Sequence, residues 1–355
     1  MSNSEGQDRP ADGQSAAPIA SRAQWRRFLL AAALTLLVLL AAIAGRIVSF
    51  DAYWLFRQRP PWLAETDGSN RLLDRQTRRA KVLQALTRSY TVAFLGSSTV
   101  YHGLDPDDVD ERLRGAVFNA GISAVTAEEL PLVAAVLASR SEVERVTVGL
   151  DYYMFSRADV PVRLNESLGT AIGRANALLG SALSRYALLD SSLDKVSGSG
   201  DPGSWTRAGF RVTPPLPPAL TIENDAARRR TAAAYRSETL DALSRTLTIL
   251  AGRRIDVYVS PVSDAQRQVL AETGFLGDFE RWRGDVAGVA AARGAGFADF
   301  SDWGRAFPFD PRGGSTEHWL DNLHFTPVLG RMVLARFGLR AGDAEPSTPG
   351  AARSR

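Results

Sequence analysis

From Phe28 to Gly45 the chain carries eighteen consecutive residues without a charge, FLLAAALTLLVLLAAIAG. At about 1.5 Å per helical residue the run covers roughly 27 Å, close to the hydrocarbon thickness of a bilayer. Arg22, Arg26 and Arg27 flank its N-terminal side, and the positive-inside rule assigns them to the cytoplasm. Everything after Arg46 is then extracytoplasmic. Trp25 before the run, and Tyr53 and Trp54 beyond it, suit interfacial belts. Two other readings share this composition. A buried core helix would stand alone ahead of the domain. A cleaved signal peptide could use Ala42-Ile43-Ala44 as its small-residue site, but the run exceeds the usual apolar core of roughly 7–15 residues. The expectation is a single-pass protein of the inner (cytoplasmic) membrane, anchored in the lipid bilayer, with its C-terminal domain extracytoplasmic.

The rest of the chain is a globular sequence. Of its 355 residues 45% are apolar and 23% charged, and the net charge of +3 is too small to argue for a nucleic-acid partner. With no cysteine, disulfides, thiolate metal sites, iron–sulfur clusters and a cysteine nucleophile are excluded. Three histidines (His102, His318 and His324) make a histidine-rich metal site an unpromising reading. No nucleotide loop, metal cluster or redox motif is seen, so neither metal nor cofactor is expected. Residues 1–27 read as a disordered cytoplasmic tail, 28–45 as the transmembrane helix, 46–90 as a juxtamembrane segment and 341–355 as a second disordered tail. Within the juxtamembrane segment, residues 70–88 carry leucines at helical spacing on an arginine-rich background. That pattern suits a solvated helix face or one that meets anionic lipid.

Residues 91–340 alternate between strand and helix patterns. The apolar runs TVAFLG (91–96), AVFNAG (116–121), VERVTVGLDYY (143–153), IDVYVSP (255–261) and GFADFS (296–301) predict strands. Helices are predicted over 105–115, 126–140, 168–196, 222–251, 276–293 and 326–338. The second of these is opened by Thr126 with Glu129 three residues on, a capping box. The alternation predicts an α/β fold, a three-layer α/β/α parallel sheet preceded by the one N-terminal transmembrane helix. Residues 157–218 break the rhythm with GSGDPGSW and the proline-rich VTPPLPPAL, and read as an insertion or lid over the sheet edge.

Four blocks stand where open α/β sheets place their sites: Gly96-Ser97-Ser98-Thr99 after the first strand, Asn119-Ala120-Gly121 after the second, Gly149-Leu150-Asp151 after the third, and Asp321-Asn322-Leu323-His324 before the last helix. A neutral serine hydroxyl is a poor nucleophile and needs a base within hydrogen-bond reach. An imidazole supplies one near neutral pH, and a carboxylate on its other nitrogen sets tautomer and orientation. Asp321 and His324, three residues apart on one turn, can form that pair. Taken singly each block has a plainer reading. Gly-Ser-Ser is common turn chemistry, and His324 could cap the following helix. His318 reads as a loop residue rather than a second base, and His102 as solvated, capping or in contact with substrate. Tyr152, Tyr153 and Phe155 read as sheet-edge core or as a sugar platform, and Asp299 as structural polar packing.

In order, the blocks resemble the SGNH (GDSL-like) hydrolase superfamily over about residues 90–340, the insertion apart. The resemblance implies Ser98 as nucleophile, Asp321 and His324 as its triad partners, and an oxyanion hole from the backbone of Ser98 and Gly121, with Asn119 and Asp151 as neighbours. The Gly-Ser-Ser variant and the N-terminal span look most like membrane-anchored members that act beside cell-surface O-acylation machinery, as in D-alanylation and alginate acetylation. The implied substrate is a polysaccharide or a small acyl ester, and the implied partner a polytopic membrane acyl-transfer protein. One block departs from the pattern: the family's Gly-x-Asn, whose amide donates into the oxyanion hole, is Gly149-Leu150-Asp151 here. Either Asp151 is turned away or protonated, or the hole is impaired. A non-catalytic anchored subunit that binds polymer or a transport or acylation partner is therefore the alternative to an esterase or O-acyltransferase.

Overall fold

The computed structural model describes residues 21–56, 73–156, 164–190 and 203–340. The expected tails, except for residues 21–27, and parts of the juxtamembrane segment and the insertion lie outside the described residues. Helix α1 (Arg22–Phe50) starts from a capping box in which Gln24 Oε1 accepts from the Ser21 N–H at 2.8 Å. Its apolar window is 0% buried, so it is not a core helix. Among the described residues it is the one helix long and apolar enough to cross a membrane. Its last turn runs into the domain, where Ile47 is 2% exposed.

Helix α2 (Leu73–Thr87) is not the solvated face its arginines suggested. Val82, Leu83 and Ala85 are core residues and the helix packs on α4 (Leu130–Ala138), while Lys81 and Gln84 are buried. The Lys81 ammonium donates to the carbonyls of Asn119 and Gly209, and the Arg78 guanidinium binds Ser123 O and Glu129. These cations serve the domain, not lipid.

Five parallel strands form the sheet: β1 (Val92–Leu95), β2 (Val117–Asn119), β3 (Arg145–Leu150), β6 (Arg254–Val259) and β7 (Gly296–Asp299), in the order β2-β1-β3-β6-β7. Period-2 alternation splits the strands into two apolar faces. Ala93, Leu95, Val146, Val148 and Val257 pack under α4, α9 (Leu240–Ile249) and α11 (Leu276–Ala292). Val92, Phe94, Val117 and Tyr258 pack under α3 (Ser98–Gly103) and α12 (Pro327–Arg336). The result is the expected α/β/α three-layer fold.

Local predictions failed where polar groups competed for backbone amides. The helix expected over 105–115 is two 3₁₀ turns. The Asp105 and Asp110 carboxylates accept from the amides of Asp107 at 3.0 Å and Arg112 at 3.1 Å, with buried Val109 extended between them. The helix expected over 222–251 is divided into α8 (Pro218–Thr231) and α9. Between them the Tyr235 N–H goes to Asp278 and the Arg236 N–H to Phe155 O, each at 3.0 Å, so tertiary partners take amides a continuous helix would use. The helix expected over 168–196 is a 3₁₀ turn (Glu166–Gly169) followed by α6 (Ala171–Ala182) and α7 (Arg185–Leu189). The third strand ends at Leu150, and Tyr152–Ser156 is a short helix, α5. Helix α10 (Asp264–Glu272), the short helix at Ser98–Gly103, and a hairpin of β4 (Ser204–Trp205) and β5 (Arg211–Val212) lie outside the predicted elements. That hairpin lies along the free edge of β2, where the Asn119 N–H donates to Ala208 O at 2.8 Å.

Candidate active site

The strand order reverses between β1 and β3, and an α/β sheet opens a crevice at the carboxyl ends of the strands on either side of such a point. Ser98 follows β1 there and Asp151 follows β3. The turn after β1 is tight because Gly96, at φ +153°, has no side chain: a Cβ would stand 2.5 Å from Val100 and 2.6 Å from Gly149 O. Ser97 caps α3 by accepting from the Thr99 N–H at 3.1 Å, which makes Ser98 the first helical residue.

His324 reaches Ser98 because α12 and α3 approach at glycines. A Cβ on Gly330 would fall 1.8 Å from Gly103 O, and one on Gly103 would enter the Phe325 ring. With that approach, His324 Nε2 lies 2.9 Å from Ser98 Oγ. On its other side His324 Nδ1 lies 2.9 and 3.0 Å from the Asp321 oxygens. The carboxylate is held by three further donors: the amides of Leu323 at 2.9 Å and His324 at 2.8 Å, and Asn224 Nδ2 at 2.9 Å. Burial alone would raise the Asp321 carboxyl, but the His324 charge and these hydrogen bonds outweigh it and hold the group well below the usual carboxylate range. The three residues form an unbroken chain of hydrogen bonds ending at a serine hydroxyl. Ser98 is 9% exposed and the His324 side chain 14%, so the chain ends just at the surface of the crevice.

The surroundings differ from the expectation in detail. Asn119 is a scaffold residue whose Nδ2 donates to Val100 O at 2.9 Å and Leu104 O at 2.8 Å. Its Oδ1 accepts from the Gly121 N–H at 3.0 Å, so this amide is engaged within its own turn. Asp151 turns to the hydroxyls of Ser97 and Thr99, the latter at 2.9 Å. Burial raises its carboxyl, and the hydroxyl bonds only partly offset this. His102 is neither solvated nor a cap. Its ring is buried, meets that of His324 at 4.9 Å between centroids, and bonds Thr213 Oγ1 through Nδ1 at 2.7 Å. Burial is the main cause that holds this imidazole well below its ordinary value.

Tyr153 follows the core reading. Tyr152 and Phe155 are core, packed against Trp282, and Tyr153 packs on the same core with its hydroxyl near the Ser97 and Ser98 side chains. Its oxygen is buried and makes no hydrogen bond among the described residues. Burial raises this phenol, which keeps it a donor. Behind Tyr153 and Asp151 is a largely apolar cavity of about 50 Å³, lined also by Leu270, Phe279, Trp282 and Leu323. A wider cleft of about 1010 Å³ runs past Tyr101 and Ser123 between α2 and α6. His318 stacks on Phe307 at 4.3 Å and Asp299 pairs with Arg283 at 2.8 Å; neither joins the site.

No family model matches the sequence, and no curated protein matches it significantly. Among solved structures the chain is similar to a Streptococcus pneumonia protein described as a platelet activating factor, with 12% identity, 78% of this chain and 92% of that one covered, and a TM-score of 0.38. It is similar to an inhibitor-bound aryl esterase of M. smegmatis, with 11% identity, coverage of 70% and 97%, and a TM-score of 0.34. It is also similar to a carbohydrate acetylesterase from Sinorhizobium meliloti, with 12% identity, coverage of 70% and 98%, and a TM-score of 0.34. The three-layer α/β/α arrangement, with a serine after the first strand, Asn-Ala-Gly after the second and Asp-x-x-His before the last helix, keeps the order of blocks that carries the resemblance to SGNH hydrolases.

Proposed function

We propose that this chain is a membrane-anchored extracytoplasmic serine esterase or O-acyltransferase acting on a cell-envelope or exported polysaccharide. The observation that carries the reading is the Ser98–His324–Asp321 relay, in which each contact is within 3.0 Å. In the first step Ser98 Oγ attacks the acyl carbon while His324 Nε2 takes the hydroxyl proton, and Asp321 stabilises the imidazolium. The tetrahedral intermediate collapses as Nε2 returns the proton to the leaving alcohol, leaving an acyl ester on Ser98. Water then completes hydrolysis, or a sugar hydroxyl completes transfer, by the same steps reversed. In the transferase case a polytopic membrane acyl-transfer protein would supply the acyl group. The cycle as written calls for no cofactor.

The oxyanion needs donors in a low-dielectric site. The Ser98 N–H is the first. The Gly121 N–H becomes the second by leaving, or sharing, Asn119 Oδ1. The buried Tyr153 hydroxyl is the third, in the role left open by Asp151. The cavity of about 50 Å³ behind Tyr153 suits a short acyl group.

A non-catalytic anchored binding subunit is the second reading, favoured by the engaged Gly121 amide and by the carboxyl at position 151. Labelling with a fluorophosphonate probe separates the two. Labelling that disappears in Ser98→Ala supports the enzyme. Absence of labelling under conditions that label a control hydrolase supports the binding subunit.

A further inference from the structure

A cluster of large apolar side chains lies exposed on one side of the domain. In α6, Ile172 and Leu179 are 75% and 67% exposed, and Leu183 just after it is 50% exposed. Separated by seven and four residues, at 100° per residue, the three fall within about 40° of one another on the helix surface. In α7, Tyr186 and Leu189 continue the patch at 46% and 72% exposed. Soluble surfaces scatter such residues singly; a contiguous group marks an interaction site.

The opposite face of the same two helices says where the patch sits. Ala177, Leu178, Ala187 and Leu188 pack with Ile43, Ile47 and Phe50, on the last turns of α1 where its apolar run ends. The contact is fastened by Tyr53, whose hydroxyl donates to buried Asp190 at the end of α7 at 2.6 Å. Asp51 closes the intervening turn by accepting from the amides of Leu55 at 2.6 Å and Phe56 at 2.9 Å. The α6–α7 pair is thus set beside α1 at the level where the uncharged run gives way to polar residues. Arg185 lies over the Tyr186 ring, 4.8 Å from its centroid, and donates to its hydroxyl at 2.9 Å. An amphipathic tyrosine and a snorkelling arginine suit the depth of lipid headgroups.

We infer that α6 and α7 form an interfacial foot whose outer face enters the outer leaflet of the bilayer beside α1, so that the domain is held at two points instead of swinging from one helix. This rests on the reading of α1 as a membrane span. The occupant is lipid because the inner faces of the same two helices pack on the last turns of α1, which sets the patch beside the end of the apolar run. An apolar helix face at this position seats about 5–10 Å deep, at the boundary of headgroups and acyl chains.

The full-length chain has no cysteine, so single-cysteine variants can be labelled with an environment-sensitive fluorophore and reconstituted into phosphatidylcholine–phosphatidylglycerol vesicles. Probes would be placed at Leu179→Cys and Leu189→Cys in the foot, Leu36→Cys in α1, and exposed Ala292→Cys at the end of α11. Lipids carrying a shallow spin label should quench the two foot positions more than lipids carrying a deep one. Leu36 should show the reverse order, and Ala292 no quenching. Quenching at Leu36 but not at Leu179 or Leu189 would overturn the foot and leave the span standing. Quenching at none of the three would overturn both. Foot probes shielded from water yet unquenched by lipid, with a cross-link between two chains at Leu179, would assign the patch to a second copy and also overturn the proposal.

Discussion

Asp321→Asn is the most exacting test of the relay, because the exchange keeps the shape and changes only the hydrogens. Asp321 Oδ1 accepts from the Leu323 and His324 amides, so the asparagine carbonyl must take that place. The new amide nitrogen then replaces Oδ2 and faces Asn224 Nδ2 at 2.9 Å and His324 Nδ1 at 2.9 Å. The carbonyl, 3.0 Å from Nδ1, is already shared by the Leu323 and His324 amides, so Nδ1 instead accepts from the new amide nitrogen and its proton moves to Nε2. Nε2, 2.9 Å from Ser98 Oγ, then donates to the serine instead of taking its proton. The same exchange in the serine-protease triad costs about 10⁴ in kcat, or about 5 kcal/mol of transition-state stabilisation. The stability cost should be smaller, about 1–3 kcal/mol, for the one donor on Asn224 left without an acceptor. The measurements are turnover of p-nitrophenyl acetate and thermal unfolding on the same preparations. Combined with Ser98→Ala, the variant should lose no more activity than Ser98→Ala alone, since the two act as a unit. Activity within tenfold of the wild type, beside a lowered melting temperature, would leave Asp321 as a loop-bracing residue and refute the relay.

Three further outcomes are expected. Tyr153→Phe should lower kcat by about 10²–10³ with the melting temperature nearly unchanged, since the hydroxyl has no hydrogen bond to lose among the described residues; unchanged kcat would remove Tyr153 from the oxyanion hole. Asp151→Asn should stabilise the fold increasingly as pH rises. The folded carboxyl is raised by burial, so the wild type keeps its full stability only below the unfolded value near about 3.9 and loses it as pH climbs toward the folded one. Unfolding free energies at several pH values check this, and a wild-type-to-variant gap that does not change with pH would contradict it. Finally, esters of two to four carbons should be turned over with higher kcat/KM than octanoyl esters, and the reverse order would refute an acyl role for the cavity behind Tyr153.

Much of the site was legible because it rests on short-range rules. A strand end followed by Gly96-Ser97-Ser98 forces a turn that presents the serine, and Asp321 lies three residues from His324, close enough for one turn to join them. The apolar run was legible for a similar reason: eighteen residues without a charge have few places to go. Helices were misread where carboxylates and distant carbonyls competed for amides, as at Asp105, Asp110 and Tyr235. Periodicity counts apolar side chains and is blind to that competition.

What the sequence determined by itself is the alternating sheet, the apolar segment ahead of it and the order of chemistry-bearing blocks, since each depends on residues close together in the chain. Which groups face one another follows from long-range packing. Asp151 turns toward Ser97 and Thr99, and Tyr153 comes from the next turn to reach Ser98. His102 is buried against His324, and the cations of α2 are spent on the carbonyls of the Asn119 turn and the hairpin beside it. Side-chain direction at the end of a strand is set by what packs behind it, and that packing joins residues 38 to 222 positions apart, beyond the reach of any local pattern.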